Sequence, residues 1–149
     1  MIIRRATKKD LNKIAELHFE YGQYEHHLDK NVEAPSLKRE KEQDKKYMGL
    51  GTIYFIAEEG QKAVGVLSIN LCLQGKEKTG VLHTLIVTKD ARKKGYGNQL
   101  VNHAMNFFRK NGCSRVRTFV HFKNKNAYAF WKKQGFDFDL GHYAVKRLK

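Results

Sequence analysis

Arg92-Lys93-Lys94-Gly95-Tyr96-Gly97 decides how the rest of this chain reads, because of what flanks it. Before it, residues 81–87 form an apolar, strand-like run. After it comes a periodic apolar helix through Leu100, Val101, Ala104, Met105, Phe107 and Phe108. A strand, a basic glycine turn and a helix start together make a site for a pyrophosphate. The glycines let backbone approach a ligand, and the first-turn N–H groups have no helical partner and point at an anion. The positive end of the helix dipole and three neighbouring cationic side chains act in the same direction. Taken alone, R-x-x-G-x-G occurs by chance in many loops.

A second motif lies downstream, Asn124-Lys125-Asn126-Ala127-Tyr128-Ala129-Phe130-Trp131-Lys132-Lys133-Gln134-Gly135-Phe136. Together the two resemble the GNAT superfamily of acyl-CoA-dependent N-acyltransferases. Its pattern is R/Q-x-x-G-x-G/A at a strand-to-helix turn, then N-x-x-A-x-x-x-Y-x-x-x-G-F on the following helix. Arg92, Gly95, Gly97, Asn124, Ala127, Gly135 and Phe136 fall in register. The opening Ile3-Arg4-Arg5-Ala6-Thr7-Lys8-Lys9-Asp10 is similar to the family's first strand and helix cap, whereas residues 22–50 match nothing specific. Trp131 departs from the pattern, which most often has Tyr there.

The resemblance implies acetyl-CoA as co-substrate. Backbone groups of Leu85, Ile86 and Val87 would pair with the pantetheine arm as if it were an added strand. A distortion of that strand would leave an N–H for the thioester oxygen. The turn Arg92, Lys93, Lys94, Gly95, Tyr96, Gly97, Asn98 would wrap the pyrophosphate, Asn124 would bond the pantetheine, and Trp131 would lie at the cofactor. For residues 85–87 a plain buried strand is compatible with the same role.

With 149 residues, the expectation is one domain, 1–149, long enough for a real core. The start is too short and too charged for a signal-peptide core, and no apolar run approaches the roughly 18 residues of a membrane helix. A soluble, cytoplasmic protein follows as the expectation, with no membrane partner. Cys72 and Cys113 lack C-x-x-C spacing and read as reduced packing residues, and no metal site is expected. The formal charge of +14 exceeds what one cofactor requires. It suits attraction of an acidic cofactor, and nucleic acid is the other partner it raises. The basic residues are interspersed with acids, however, as in Lys38-Arg39-Glu40-Lys41-Glu42-Gln43-Asp44-Lys45-Lys46, which reads as a solvated helix face. The same charge argues against a polycationic acceptor unless local acids overcome it. A homodimer is open.

Along the chain, residues 2–6 read as a strand, and Thr7-x-x-Asp10 caps a helix with the stripe Leu11, Ile14, Ala15, Leu17, His18. The helical pattern is lost after Gly22. Pro35-Ser36 starts a second helix ending near Gly49. Strands follow at 52–57, 63–73 and 79–87, then a helix at 95–110 stopped by Asn111-Gly112, a strand at 115–122, a helix at 124–134 and a hairpin over 141–148. The expected fold class is α/β, a GNAT-like mixed, mostly antiparallel sheet flanked by helices on both faces.

Acetyl transfer to an amine needs a neutral nucleophile, although an alkylamine has a pKa near ~10.4. It also needs donors for the oxyanion and sometimes a proton for the leaving thiolate. Many family members carry a Glu four residues before the position matching Val87, and here that residue is His83. An imidazole with a pKa near ~6.5 is mostly neutral at pH 7 and can accept a proton. Strand alternation would put Val81, His83, Leu85 and Val87 on one face. A core histidine bonded to backbone is the other reading. His121, three residues before Asn124, is a second candidate base and a candidate for the acceptor side. Trp131 replaces the family's acid, and an indole N–H does not usefully give up its proton. Tyr128, one turn earlier, could substitute, or no acid is needed, since a thiol of pKa ~8.5 is a fair leaving group. The acceptor pocket should form from residues 20–50 and the C-terminal hairpin, with Tyr21, Tyr24, Glu25, His26, His27 and Asp29 as amine-binding candidates.

The sequence therefore reads as an acetyl-CoA-dependent N-acetyltransferase acting on a primary amine by direct attack in a ternary complex. A small metabolite is favoured over a peptide or protein amine. A non-catalytic acyl-CoA-binding module and a basic nucleic-acid-binding protein are the rival readings.

Overall fold

Thr7 Oγ1 accepts from Lys9 N–H at 3.3 Å, and the Asp10 carboxylate accepts from Thr7 N–H at 2.8 Å, the reciprocal cap expected from the sequence. The computed structural model describes residues 1–138 and Lys146. Residues 1–119 and 120–149 form two compact units.

In the first unit, β1 (Ile2–Arg5) leads through the cap into α1 (Leu11–Leu28) and α2 (Leu37–Gly49). Three strands follow, β2 (Ile53–Glu59), β3 (Lys62–Gln74) and β4 (Glu77–Val87), then α3 (Tyr96–Lys110) and β5 (Arg115–Thr118). The sheet order is β1-β2-β3-β4-β5, antiparallel throughout except for the parallel β4–β5 pair that α3 bridges. Tyr54, Ile56, Val66 and Ile86 on one sheet face pack with Ile14 and Leu17 of α1. On the other, α3 buries Leu100, Val101, Ala104 and Phe108, and Phe55 meets the Phe107 ring edge-on at 5.6 Å. Helices thus flank both faces, as the mixed order of elements requires. Gly80 lies directly under Phe108, where a Cβ would come 2.6 Å from the ring.

Two expected boundaries are corrected. The first helix continues beyond Gly22 to Leu28. Gly22 is there for close packing rather than as a stop, since a Cβ would sit 2.9 Å from Pro35 Cβ. The strand expected over 115–122 ends at Thr118, whose hydroxyl donates to Leu82 O at 3.2 Å. Beyond Leu82 the register of β4 slips: Ser68 pairs with Thr84 but Ile69 pairs with Leu82. That leaves an extra residue, His83, on β4, and such a bulge bends its strand. Among the described residues, β4 pairs with β5 only over Thr79–Leu82, so the edge of residues 83–87 away from β3 carries no strand.

In the second unit, α4 (Lys125–Lys133) is capped by Asn124, whose Oδ1 accepts from Ala127 N–H at 3.1 Å. Trp131 is buried against Phe130 and Phe136. The hairpin expected over 141–148 falls, apart from Lys146, outside the described residues. No helix among the described residues is long and apolar enough to cross a membrane.

Candidate active site

Two helices present matching faces to one cavity. His18, Tyr21, Gly22 and Glu25 of α1 and Glu40, Gln43, Asp44 and Tyr47 of α2 each follow the i, i+3, i+4, i+7 spacing of a single helix face. The cavity holds about 600 Å³. Its floor is the sheet: Tyr54 of β2, Ser68 and Asn70 of β3, and His83 with Thr84 of β4. From the expected acceptor cluster the lining takes Tyr21 and Glu25 but not Tyr24, His26, His27 or Asp29, because α1 stays helical and turns these others away.

The bulge decides where His83 points. It reverses the strand phase, so Leu85 and Val87 pair with Leu67 and Gly65 on the α3 side, while His83 and Thr84 both line the cavity. The shared face expected for Val81, His83, Leu85 and Val87 is therefore wrong beyond His83, since plain alternation cannot foresee an extra residue. His83 Nε2 lies 2.7 Å from Asn70 Oδ1, which also accepts from Thr52 Oγ1 at 3.0 Å. The ring is exposed to the cavity, yet surrounding protein and, secondarily, the Arg117 charge hold its pKa below the ordinary 6.5. It is thus neutral at pH 7 and able to accept a proton. Thr84 N–H is taken by Ser68 Oγ at 3.2 Å.

Sequence reasoning missed the deep end of the cavity. Asp44, 3% exposed, lies 2.8 Å from His18 Nδ1 and accepts from the Tyr54 hydroxyl at 3.2 Å. Burial and then the Asp44 charge push the Tyr54 phenol well above its ordinary value. By sequence the lysine-rich run reads as a solvated face, and the 40, 43, 44, 47 periodicity is the signal in it that points to Asp44. Glu25, Glu33, Glu40 and Asp44 all line the cavity, with no Lys or Arg in its lining among the described residues. Arg39 pairs with Glu33 and reaches Glu40 at 3.9 Å, offsetting only part of this charge. In a chain of formal charge +14, the cavity is locally acidic.

The basic turn follows β4. Gly95 is left-handed (φ 79°) and precedes α3, whose first ladder bond is Gln99 N–H to Gly95 O at 3.1 Å. The earlier first-turn N–H groups precede that ladder, the arrangement an anion requires. Arg92 Nε donates to Val87 O at 3.1 Å, joining the turn to the open end of β4. Lys94 lies 3.6 Å from Glu59, which also accepts from the Tyr96 hydroxyl. That hydroxyl bond, ahead of the Lys94 charge, lowers the Glu59 pKa.

A model of the Acetyltransferase (GNAT) family matches residues 11–136. The chain belongs to the GNAT family. An uncharacterised N-acetyltransferase of Methanocaldococcus jannaschii is 27% identical over 145 residues, 91% of this chain and 60% of that protein. A mycothiol acetyltransferase of Corynebacterium jeikeium is 31% identical over 61 residues, 41% of this chain and 18% of that one. This GNAT chain thus spans less than two thirds of the length of either relative. Among solved structures, a mutant of the BH1408 protein of Bacillus halodurans superposes with a TM-score of 0.84 at 19% identity, covering 99% of this chain and all of that one. An aminoglycoside 6′-N-acetyltransferase of Acinetobacter haemolyticus gives 0.76 at 17% identity over the full length of both. At such identities these two likenesses concern the fold.

In the second unit of this GNAT chain, Asn124 is buried and its Oδ1 accepts in the cap, which leaves its amide NH2 as its donor for a ligand. Tyr128 is 43% exposed with its ring on Phe138. Trp131, 6% exposed, packs as a core residue. His121 Nδ1 accepts from Lys123 N–H at 3.2 Å and its ring stacks on Phe122.

Proposed function

We propose that this GNAT chain transfers an acetyl group from acetyl-CoA to the primary amine of a small, cationic acceptor, by direct attack within a ternary complex. The observation that carries the reading is His83, turned by the bulge in β4 into an acid-lined cavity beside a strand edge that has no neighbouring strand among the described residues. That edge, residues 85–87, fits an extended pantetheine arm, and the turn 92–98 at the start of α3 fits its pyrophosphate. Asn124 would add its amide NH2, on the strength of the motif alone. Acetyl-CoA supplies an activated thioester.

The acceptor arrives as an ammonium ion, and Glu25, Asp44 and the tyrosine rings of the cavity favour it as a cation. These local acids reverse the argument that the positive chain would repel such an acceptor. His83 takes the ammonium proton, and the freed nitrogen attacks the thioester carbonyl. As the C–N bond forms and the C–S bond breaks, CoA departs as thiolate and the nitrogen sheds its second proton to water, leaving the neutral amide. With a thiol pKa near ~8.5 this needs little help, so Trp131 in place of a tyrosine costs the reaction little, and Tyr128 is, on the motif alone, the remaining candidate to give a proton.

Thiol release should be followed over a panel of monoamines, diamines and aminoglycosides. Turnover should be greatest where the acceptor bears a second cation. His83→Ala should lower kcat at saturating substrates by about 10²–10⁴, with the acetyl-CoA-induced thermal shift intact. Binding without turnover across the whole panel would favour a non-catalytic module. A His83→Ala kcat equal to that of wild type at every pH from 6 to 9 would remove His83 from the mechanism.

A further inference from the structure

We propose that Asn70, steadied by Thr52, is the positioning residue that selects the tautomer of His83 and aims its proton-accepting nitrogen; this rests on His83 being the base. Asn70 stands on β3 opposite Val81, just before the bulge, and His83 is the residue that the bulge adds. The bulge would leave this side chain with no regular neighbour across the strand, and Asn70 holds it instead at 2.7 Å. Thr52, immediately before β2, donates to the same Asn70 oxygen at 3.0 Å. One amide oxygen thus takes two bonds, one for each lone pair.

That oxygen can only accept. The ring nitrogen facing it must then carry hydrogen, so neutral His83 is the Nε2–H tautomer and Nδ1 keeps the lone pair. No hydrogen-bond partner of Nδ1 is found among the described residues, which suits an atom awaiting a substrate proton. Three strands build the device: Thr52 ahead of β2, Asn70 in β3 and His83 in β4. Its effect passes through His83, and Asn70 itself need not touch the substrate.

Asn70→Asp is the sharp probe. A carboxylate on Nε2–H favours imidazolium and should raise the His83 pKa by about 1–3 units. The acid limb of the kcat profile should move to higher pH by the same amount, with the alkaline plateau retained. Glu25, Glu33, Glu40, Asp44 and His18 of the cavity and Arg117 of β5 are common to wild type and variant, so the difference belongs to position 70. Asn70→Ala should lower kcat roughly tenfold, the equivalent of one hydrogen bond, with little change in KM. Heteronuclear NMR of ring-labelled wild type should show Nε2 protonated at pH 8, a readout independent of turnover.

A protonated Nδ1 in that spectrum overturns the proposal. So does an unmoved acid limb in Asn70→Asp when His83→Ala abolishes turnover, which leaves His83 as base without its positioner. Full turnover in His83→Ala overturns both readings together. Lower activity at every pH with an unmoved limb would mark Asn70 as merely structural.

Discussion

Gly95→Ala separates the cost of the turn's backbone from its use. Gly95 has φ 79°, yet no heavy atom lies within 4 Å of the Cβ an alanine would carry. The change therefore creates no clash, and its cost is conformational, about 1–2 kcal/mol for a left-handed alanine. For a chain of this size about 1 kcal/mol moves Tm by roughly 2–4 °C, so the free variant should melt about 2–8 °C below wild type and still fold. Acetyl-CoA at about 100 times its Kd should stabilise wild type by about 2.7 kcal/mol, or roughly 5–11 °C on the same scale. In the variant the strained turn relaxes, or the methyl stands where backbone should meet phosphate, and the ligand-induced rise should fall by more than half. Differential scanning fluorimetry, with and without acetyl-CoA, reads both quantities. An undiminished rise in a destabilised variant would refute this turn as the cofactor site, and no rise in wild type would remove the cofactor reading altogether.

Two further outcomes concern the scaffold. Gly80→Ala forces a methyl to within 2.6–2.7 Å of three atoms of the Phe108 ring, which is 1% exposed and has nowhere to go; overpacking of about 1–3 kcal/mol should appear in thermal melts, and an unchanged Tm would contradict the Gly80–Phe108 packing. Asp10 is held well below the usual carboxylate range chiefly by its hydrogen bonds to Arg4, at 2.8 and 2.9 Å. A lowered folded pKa stabilises above the unfolded value near ~3.9 and is lost as pH falls through the folded one. Asp10→Asn should thus cost about 1–3 kcal/mol at pH 7, less where Glu58 retains Arg4, and the gap to wild type should close in acid denaturation; a gap constant down to pH 2 would sink the linkage.

Much of the architecture was legible because it is written in local chemistry. The Thr7–Asp10 cap, the apolar period of α3 and the β-branched strands need only neighbouring residues to be read. The turn at 92–97 and the motif from Asn124 were equally plain. Gly22 was misread because a glycine that stops a helix and one that admits Pro35 look identical until the second chain segment is in place. Asp44 stayed hidden in a lysine-rich run for the same reason: its partners, His18 and Tyr54, lie on other elements.

By itself, then, the sequence determined the order and type of most elements and the family pattern, and the family resemblance put His83 forward as a candidate base. The elements follow from periodicity, capping and spacing, which act over a few residues. Only the tertiary structure decided what His83 faces. A single extra residue in β4 reverses its phase, and that register is set by pairing with β3. The sign of the local field is likewise a tertiary property. Formal charge sums over the whole chain, whereas the cavity feels the few carboxylates that α1, the loop before α2 and α2 itself turn toward it.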